Sequence, residues 1–333
     1  FLLEELQRAF PGGHHASMAD GLVQTDFVLQ RECGAPVLAF ARQMLPEAVA
    51  LTAVSIREWG IRLFEAICAR VPEGQPWRLH VAPHYGQGTA GVNRAQFILE
   101  ASRDLLRKKR RHLLRALVPE ETPFDECTTL VQLLLTAPDA GFLSIAPAPM
   151  PWQLRRCVWP FVKGEVPEAV DKAAPSRAFA KLVEAERRLG LRIGVGEMCV
   201  DLGACPGSWS YVALERGARV IAVDRSPLRD DLMANERLSF HQGDAFTFDP
   251  EQPVNWLLCD VIAAPERSVE LALDWVRRQR CRKFVVTIKF KGQGDYAKLE
   301  PLKHALPSLC SEFFLVRLCA NKNEACVAGV VAF

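Results

Sequence analysis

Hydrophobic and polar positions alternate regularly in the C-terminal half of the chain and irregularly in the N-terminal half. After Ala178, short apolar runs of strand length alternate with longer amphipathic runs of helical period. This order is typical of a mainly parallel sheet with helices on both faces. The predicted strands are 198–202, 219–224, 238–242, 256–260 and 283–290, and the predicted helices are 178–189, 208–216, 265–280 and 296–306.

The end of the chain departs from this alternation. Two apolar runs, 313–319 and 325–333, are separated only by the residues ANKNE. A crossover helix needs a longer connection, so the two runs are predicted to form an antiparallel hairpin. The predicted fold class of this half is α/β, with a Rossmann-like and mainly parallel sheet that ends in an antiparallel hairpin.

The first half of the chain predicts a less regular α+β region. A helix is predicted at 2–10, and short apolar segments such as 24–29 follow it. Residues 96–117 place leucines at helical spacing with basic residues between them, which predicts one amphipathic basic helix. The basic cluster in this helix consists of Arg107, Lys108, Lys109, Arg110 and Arg111.

Composition limits the possible classes of protein. A chain of 333 residues with 49% hydrophobic content predicts two or three domains, and a net charge of +2 indicates no partner by itself. Eleven cysteines without a CxxC pair favour free thiols in a reducing cytoplasm, and no metal site is expected. No apolar run approaches the roughly 20 residues of a membrane span, and we expect the natural chain to begin before Phe1.

The residues VDLGACPGSW at 200–209 indicate a cofactor-binding loop between a strand and a helix. A dinucleotide loop needs a glycine at the position of Cys205, because the pyrophosphate approaches the backbone closely there. Asp224 ends the next strand and suits two ribose hydroxyls, and Asp244 suits an adenine amino group. Together these positions favour an adenosyl ligand, while ordinary turn residues and a nicotinamide-dependent oxidoreductase stay as alternatives.

The same residues resemble the FtsJ-like ribose 2′-O-methyltransferases, whose loop commonly reads DLGAxPGgW. The resemblance implies a class I methyltransferase fold and S-adenosylmethionine as the cofactor. It makes Cys205 a loop residue rather than a nucleophile. Ser208 replaces the second of the two glycines that usually follow the proline in this pattern. Ser176 is interpreted equally as a helix N-cap or as a cofactor contact. The predicted cofactor-binding residues are Ser176, Gly203, Cys205, Pro206, Gly207, Ser208, Trp209, Asp224, Asp244 and Asp260.

The resemblance also implies a catalytic set, which consists of Lys181, Asp260, Lys289 and Glu324. Lys289 is the predicted base, because desolvation and a nearby cation would free its amine to take a proton from a hydroxyl. A surface lysine at a strand end is the alternative for Lys289, and Lys291 is the rival base. Residues 260–263 read DVIA, which lacks the Asn/Asp-Pro-Pro-Tyr/Phe stretch of enzymes that methylate base amino groups.

The N-terminal half resembles bacterial cytidine 2′-O-methyltransferases of large-subunit ribosomal RNA, which couple a THUMP domain to an FtsJ-like domain. The resemblance rests on FLLEELQRAF, FARQMLP and LLRKKRRHLLRAL, in this order before SRAFAKL. It implies that large-subunit ribosomal RNA is the partner and that the basic cluster contacts phosphates, although a solvated helix face, another RNA and a non-catalytic RNA-binding module stay open. The predicted regions are 1–55 (partial ferredoxin-like), 56–150 (THUMP-like, RNA-binding), 151–174 (proline-rich linker) and 175–333 (FtsJ-like).

Overall fold

The computed structural model describes residues 1–26, 36–86, 89–119, 125–150, 154, 157–320 and 322–333, with the backbone alone for 293–295. The chain forms two compact units. The first unit contains residues 1–28, 37–41 and 166–333, and the second contains residues 29–36 and 42–165. The division at residue 165 falls within the predicted linker, whereas residues 1–28 belong to the unit of the C-terminal sheet and not to a region 1–55. The ferredoxin-like and THUMP-like labels remain predictions.

The N-terminal residues of the first unit form helix α1 (Leu2–Ala9) and the hairpin of β1 (His15–Ala19) and β2 (Leu22–Thr25). Glu5 on α1 is buried, and its carboxylate accepts hydrogen bonds from the backbone N–H groups of Ala39 (2.8 Å) and Phe40 (3.0 Å). Lys303 Nζ donates to the same carboxylate at 2.8 Å. These bonds fasten residues 37–41 to the first unit. Residues 27–29 of the predicted segment 24–29 lie outside the described residues.

The second unit contains a four-stranded sheet with helices packed on it. Its strands are β3 (Val49–Thr52), β4 (Trp77–Pro83), β5 (Thr129–Leu135) and β6 (Ala140–Ala146), and its helices are α2 (Ile56–Arg70), α3 (Ala90–Lys109) and α4 (Arg111–Ala116). The strand order is β3-β6-β5-β4, and only the β4–β5 pair is parallel. Trp59, Trp77 and Ile98 are fully buried in the core between helices and sheet.

The predicted basic helix 96–117 is two helices. α3 begins six residues earlier than predicted, at Ala90, and the helical conformation breaks at Arg110, where φ is −145° and ψ is 59°. The break gives α4 its own direction, so that Leu113 is buried in the core of the second unit. The indole Nε1 of Trp77 donates to the carbonyl oxygen of Leu113 at 2.7 Å. A single straight helix was therefore the wrong prediction, because burial of Leu113 requires the turn.

A seven-stranded sheet forms the body of the first unit. In chain order its elements are α5 (Phe179–Leu189), β7 (Met198–Leu202), α6 (Ser208–Glu215), β8 (Arg219–Asp224), α7 (Asp230–Met233), β9 (Leu238–Gln242), β10 (Val254–Cys259), α8 (Pro265–Arg277), β11 (Cys281–Lys289), a 3₁₀ helix (Gln293–Leu299), α9 (Glu300–Leu309), β12 (Cys310–Val316) and β13 (Glu324–Val331). The strand order is β12-β13-β11-β10-β7-β8-β9. Among the described residues, β13 pairs antiparallel with both β11 and β12, and the other strand pairs of this sheet are parallel.

The prediction of a mainly parallel sheet that ends in a hairpin is confirmed. β7, β8 and β9 have the predicted bounds, and β12 pairs with β13. The predicted helix 296–306 is a 3₁₀ helix followed by α9, and β12 begins three residues before the predicted 313. The carboxyl ends of β7, β8, β10 and β11 and the start of β13 lie at one edge of the sheet. No helix among the described residues is long and apolar enough to cross a membrane.

Candidate active site

The loop between β7 and α6 is held against the neighbouring strands by its own backbone. The N–H groups of Gly203 and Ala204 donate to the carbonyl oxygen of Val223 at 2.9 and 3.2 Å. Gly203 has φ +74°, and a Cβ at this position would lie 3.0 Å from the Cα of Val261. A side chain at 203 therefore has no room, and the loop approaches the residues that follow β10.

Gly207 ends the loop and precedes the first residue of α6. Its φ is +106°, a conformation that residues with a Cβ rarely adopt. A Cβ at 207 would overlap with the Cδ1 of Leu232, which is buried in α7. The second glycine of the loop is therefore required by backbone conformation and by packing at the same time.

We expect Gly207→Ala to lower the free energy of unfolding by about 2–3 kcal/mol and to weaken binding of S-adenosylmethionine at least tenfold. Strain in a left-handed conformation costs about 1–3 kcal/mol, and the contact with Leu232 displaces the loop as well. Gly196→Ala is the matched control, since Gly196 has φ +77° with nothing within 4 Å of its added Cβ. Chemical denaturation and calorimetric titration measure both effects. Equal losses of cofactor affinity in the two variants would contradict the packing argument.

The two predicted ligand carboxylates lie at the ends of the next two strands: Asp224 is the last residue of β8, and Asp244 follows β9. Asp224 accepts the backbone N–H of Cys205 at 3.0 Å on one oxygen and that of Ser226 at 2.9 Å on the other. Each oxygen keeps a further lone pair, which suits the two hydroxyls of a ribose. Asp244 accepts the backbone N–H of Phe246 (2.9 Å) and the guanidinium of Arg225 (2.6 Å), and these bonds lower the pKa of Asp244. Both groups are therefore placed to accept hydrogen bonds, and their ligand roles remain predictions.

The remaining loop residues have mainly internal contacts. The indole of Trp209 is buried and donates to the carbonyl oxygen of Ala178 at 2.8 Å. The carbonyl oxygen of Pro206 accepts the N–H of Arg229 at 3.2 Å. Cys205 is exposed, and desolvation together with the charge of Asp224 raises the pKa of its thiol. A raised pKa leaves the thiol protonated, which agrees with the interpretation of Cys205 as a loop residue and not a nucleophile.

Ser176 is not the N-cap of α5. The helix begins at Phe179, with Ala178 in the cap position and no capping bond from a side chain. The Oγ of Ser176 instead accepts the N–H of Ala178 at 3.2 Å and lies 2.7 Å from the Oγ of Ser208. Two turn residues between Ser176 and the helix prevent it from reaching the first helical N–H groups. Its contact with Ser208, the first residue of α6, joins it to the loop, and cofactor contact remains a prediction.

The four residues of the predicted catalytic set contact one another at the edge of the sheet. Lys181 Nζ on α5 lies 3.1 and 3.2 Å from the two carboxylate oxygens of Asp260 and 2.7 Å from Oε1 of Glu324. Lys289 Nζ, at the end of β11, lies 3.1 Å from Asp260 Oδ1 and donates to the backbone oxygen of Asp260 at 2.6 Å. Asp260 therefore binds both lysines through its Oδ1 atom.

The two lysines differ in their surroundings. Burial by itself would lower the pKa of Lys181, but the charges of Asp260 and Glu324 and their hydrogen bonds raise it above the ordinary value. Lys181 therefore stays protonated and cannot accept a proton from a hydroxyl. Lys289 keeps 24% of its side chain exposed, against 11% for Lys181, so Lys289 is the more accessible of the two lysines, and its role as the base remains a prediction. Lys291 is exposed and follows the end of β11.

Comparison with known proteins identifies this region. Residues 174–325 match the family described as FtsJ-like methyltransferase. This segment, which is less than half of the chain, is similar to FtsJ-like methyltransferases. Its seven-stranded sheet is accordingly the Rossmann-like sheet of class I methyltransferases, as predicted.

Curated relatives of the chain are named Ribosomal RNA large subunit methyltransferase M. The protein of Thauera aminoaromatica is 43% identical over 122 residues, which cover 35% of this chain and 34% of the relative. That of Pseudomonas putida strain GB-1 is 34% identical over 167 residues, which cover 48% and 45%. The matches thus span less than half the length of these relatives. Among solved structures, 1,6-didemethyltoxoflavin-N1-methyltransferase of Burkholderia thailandensis is 18% identical, with a TM-score of 0.34 over 46% of this chain and 79% of that one.

The site contains three residues that the sequence analysis missed, and two of them lie close to Asp260 and Lys289. Thr287 Oγ1 donates to Asp260 Oδ1 at 2.5 Å, beside both lysines. Asn323 joins the ends of β11 and β13, because its amide donates to the carbonyl oxygen of Phe290 (3.0 Å) and its backbone oxygen accepts the N–H of Phe290 (3.0 Å). This clamp sets the register that pairs Lys289 with Glu324. Alternation along β11 places Thr287 and Lys289 on one face, a signal that the sequence did contain.

A third missed residue, Asp201, lies at the end of β7 beneath the loop. It is 1% exposed, and Ser210 Oγ donates to its Oδ2 at 2.7 Å. Desolvation raises the pKa of Asp201 to about 7; the hydrogen bond from Ser210 opposes this shift, and the charges of Asp260 and Asp224 add to it. Near neutral pH this carboxyl is therefore partly protonated, which limits the negative charge that surrounds the loop.

The predicted basic cluster lies in the second unit. Its residues are exposed, from Arg107 at the end of α3 to Arg111 at the start of α4. Arg107 forms an ion pair with Asp104, and Arg111 Nε donates to the carbonyl oxygen of Arg107 at 3.1 Å. The described part of the chain contains no group of three or more His, Cys, Asp or Glu side chains that could hold a metal ion.

Proposed function

We propose that this protein transfers a methyl group from S-adenosylmethionine to the 2′-hydroxyl of a ribose in large-subunit ribosomal RNA. The observation that carries the proposal is the connected series of ion pairs Glu324–Lys181–Asp260–Lys289 at the sheet edge where the Gly203–Gly207 loop lies. An open α/β sheet binds its ligands at this edge. The loop backbone and the carboxylates of Asp224 and Asp244 fit an adenosyl cofactor.

The residues of the site suit a displacement at carbon. When bound, S-adenosylmethionine supplies the methyl group, which passes to the ribose oxygen while the electrons of the carbon–sulfur bond stay on sulfur. Lys289 Nζ, in its unprotonated form, takes the hydroxyl proton. Asp260 fixes the position of this amine through its backbone oxygen at 2.6 Å and its carboxylate at 3.1 Å. Lys181 binds the carboxylate of Asp260 and is itself paired with Glu324, so the base is oriented before the hydroxyl arrives.

Two features support a ribosomal RNA substrate. The curated relatives carry the name Ribosomal RNA large subunit methyltransferase M. The exposed basic cluster from Arg107 to Arg111 suits contacts with phosphates, which give affinity without sequence preference. A cytidine target and a cytoplasmic location belong to the same proposal.

The test uses methyl-labelled S-adenosylmethionine, the full chain, and large-subunit RNA from cells that lack the protein. We expect label in 2′-O-methylcytidine after complete digestion to nucleosides, at most one methyl group per RNA molecule. RNA from cells that contain the protein is the matched control and should take up little label, because its site is already methylated.

Three outcomes would overturn the proposal. Label in a methylated base would exclude ribose chemistry, and label in small-subunit RNA alone would exclude the substrate. Calorimetric binding of NADH without binding of S-adenosylmethionine would favour an oxidoreductase instead.

A further inference from the structure

A groove lies between the end of α3 and the neighbouring face of α2 in the second unit. Its volume is about 490 Å³, within the range of roughly 300–1,000 Å³ that is typical of ligand sites. The walls are mostly apolar, and two cations stand at one side. The lining residues are Phe64, Glu65, Cys68 and Ala69 from α2, with Lys109 and Arg110 from the end of α3.

The chemistry of this groove differs from that of an ordinary charged helix end. Cations at a helix C-terminus interact favourably with the helix dipole, which accounts for Arg107, Lys108 and Lys109 in the last turn of α3. Phe64 packs against the core of the second unit, and its partly exposed ring lies beside these cations. The ammonium of Lys109 lies 5.8 Å from the centroid of the Phe64 ring, within reach of a cation–π interaction.

An aromatic ring with adjacent cations is the usual recognition site for an unpaired nucleotide. The base stacks on the ring, and the phosphate pairs with lysine or arginine. The local charge agrees with a polyanion, since Arg107, Lys108 and Arg111 are exposed around Lys109 and Arg110, against Glu65 alone among the lining residues. Bases inside a duplex cannot present their faces, so the site selects single-stranded RNA.

We propose that this groove binds one unpaired nucleotide of the RNA substrate, with its base on Phe64 and its phosphate on Lys109 and Arg110. The proposal rests on the proposed function, because it names how the same RNA is held. It adds a base-stacking site to the phosphate contacts of the basic cluster.

The experiment titrates the full chain into single-stranded RNA that carries 2-aminopurine, whose fluorescence falls on stacking. We expect quenching with the natural chain. Phe64→Leu keeps an apolar wall but removes the ring, and should abolish the quenching and raise Kd about tenfold. Phe97→Leu is the matched control, because Phe97 is an exposed aromatic residue on α3 outside the groove. This variant should change neither the quenching nor the Kd.

The cations are tested by salt dependence. Replacing Lys109 and Arg110 together with glutamine should reduce the slope of log K against log salt by about 0.7, since the two cations share one phosphate and each phosphate contact on a single strand contributes about 0.7. Phe64→Leu should weaken binding without changing this slope. Circular dichroism and thermal unfolding confirm that each variant is folded.

The outcomes separate this inference from the proposed function. Quenching that persists in Phe64→Leu, or equal affinity for duplex and single strand, would overturn the groove proposal even if the chain methylates ribosomal RNA. Absence of RNA binding, with capture of an apolar peptide in the groove, would also overturn it. If the natural chain quenches 2-aminopurine but transfers no methyl group to ribosomal RNA, the proposed function is refuted and the groove proposal stands.

Discussion

Lys289→Ala is expected to slow methyl transfer by about 10²–10⁴-fold, the usual contribution of a positioned general base. Binding of S-adenosylmethionine should stay within threefold, because the cofactor loop extends from Gly203 to Gly207 and Lys289 lies on a different strand. The measurement is single-turnover transfer to large-subunit RNA, with calorimetry for the cofactor. Retention of the natural rate would contradict the assignment.

Two further variants separate a base from a merely cationic group. Lys289→Arg keeps the positive charge but cannot lose its proton at neutral pH, so we expect it to be as slow as the alanine variant. Recovery of the rate by arginine would show that charge alone is required. Lys291→Ala is the matched control, because Lys291 is exposed two residues beyond Lys289, and it should transfer methyl groups at the natural rate.

Asp260→Asn is expected to slow methyl transfer at least 10²-fold and to lower the free energy of unfolding by about 2–3 kcal/mol. Asp260 binds Lys181, Lys289 and Thr287, and an amide cannot neutralise two ammonium groups. The side chains of Lys181 and Asp260 are only 11% and 16% exposed, so their hydrogen-bonded charges are poorly solvated. Displacement of Lys289 by about 1 Å is enough for the loss of rate.

The control for this prediction is Asp249→Asn in the same unit. Asp249 pairs with Arg280 but is 64% exposed, and an exposed pair contributes about 0–1 kcal/mol. We expect the Asp249→Asn variant to transfer methyl groups at the rate of the natural chain, and its free energy of unfolding to change by less than about 1 kcal/mol. Chemical denaturation and single-turnover kinetics measure both variants. A natural rate in Asp260→Asn would mean that Lys289 is positioned without this carboxylate.

Much of the first unit could be predicted because its strands are buried and bounded by turn residues. A buried parallel strand is a short apolar run with polar residues at both ends, and β7 and β8 follow this rule to the residue. β9 has the predicted bounds too, although it is a largely exposed strand at the edge of the sheet. The predicted bounds were less accurate for elements that have no clear turn residues at their ends. The predicted helix 296–306 is a 3₁₀ helix followed by α9. The helix break at Arg110 has no glycine or proline that would have indicated it in the sequence.

The residues of the site could be predicted from the sequence, but the contacts between their side chains could not. Resemblance supplied Lys181, Asp260, Lys289 and Glu324, which lie far apart in the sequence. Their geometry depends on the position of β13, which inserts between β11 and β12 and so pairs Glu324 with Lys289. The hairpin prediction placed β13 beside β12 but did not indicate that it also pairs with β11.

The sequence by itself determined the alternation of elements and the glycine loop, because both depend on local period and backbone conformation; the residue types at the site came from the resemblance to a known family. Only the tertiary structure decided which lysine is held as a cation, where Asn323 clamps two strands, and that Glu5 fastens residues 37–41 to the first unit. These features depend on burial and on contacts between distant residues. Their free energy arises only when the chain has closed around them, so no local pattern encodes them.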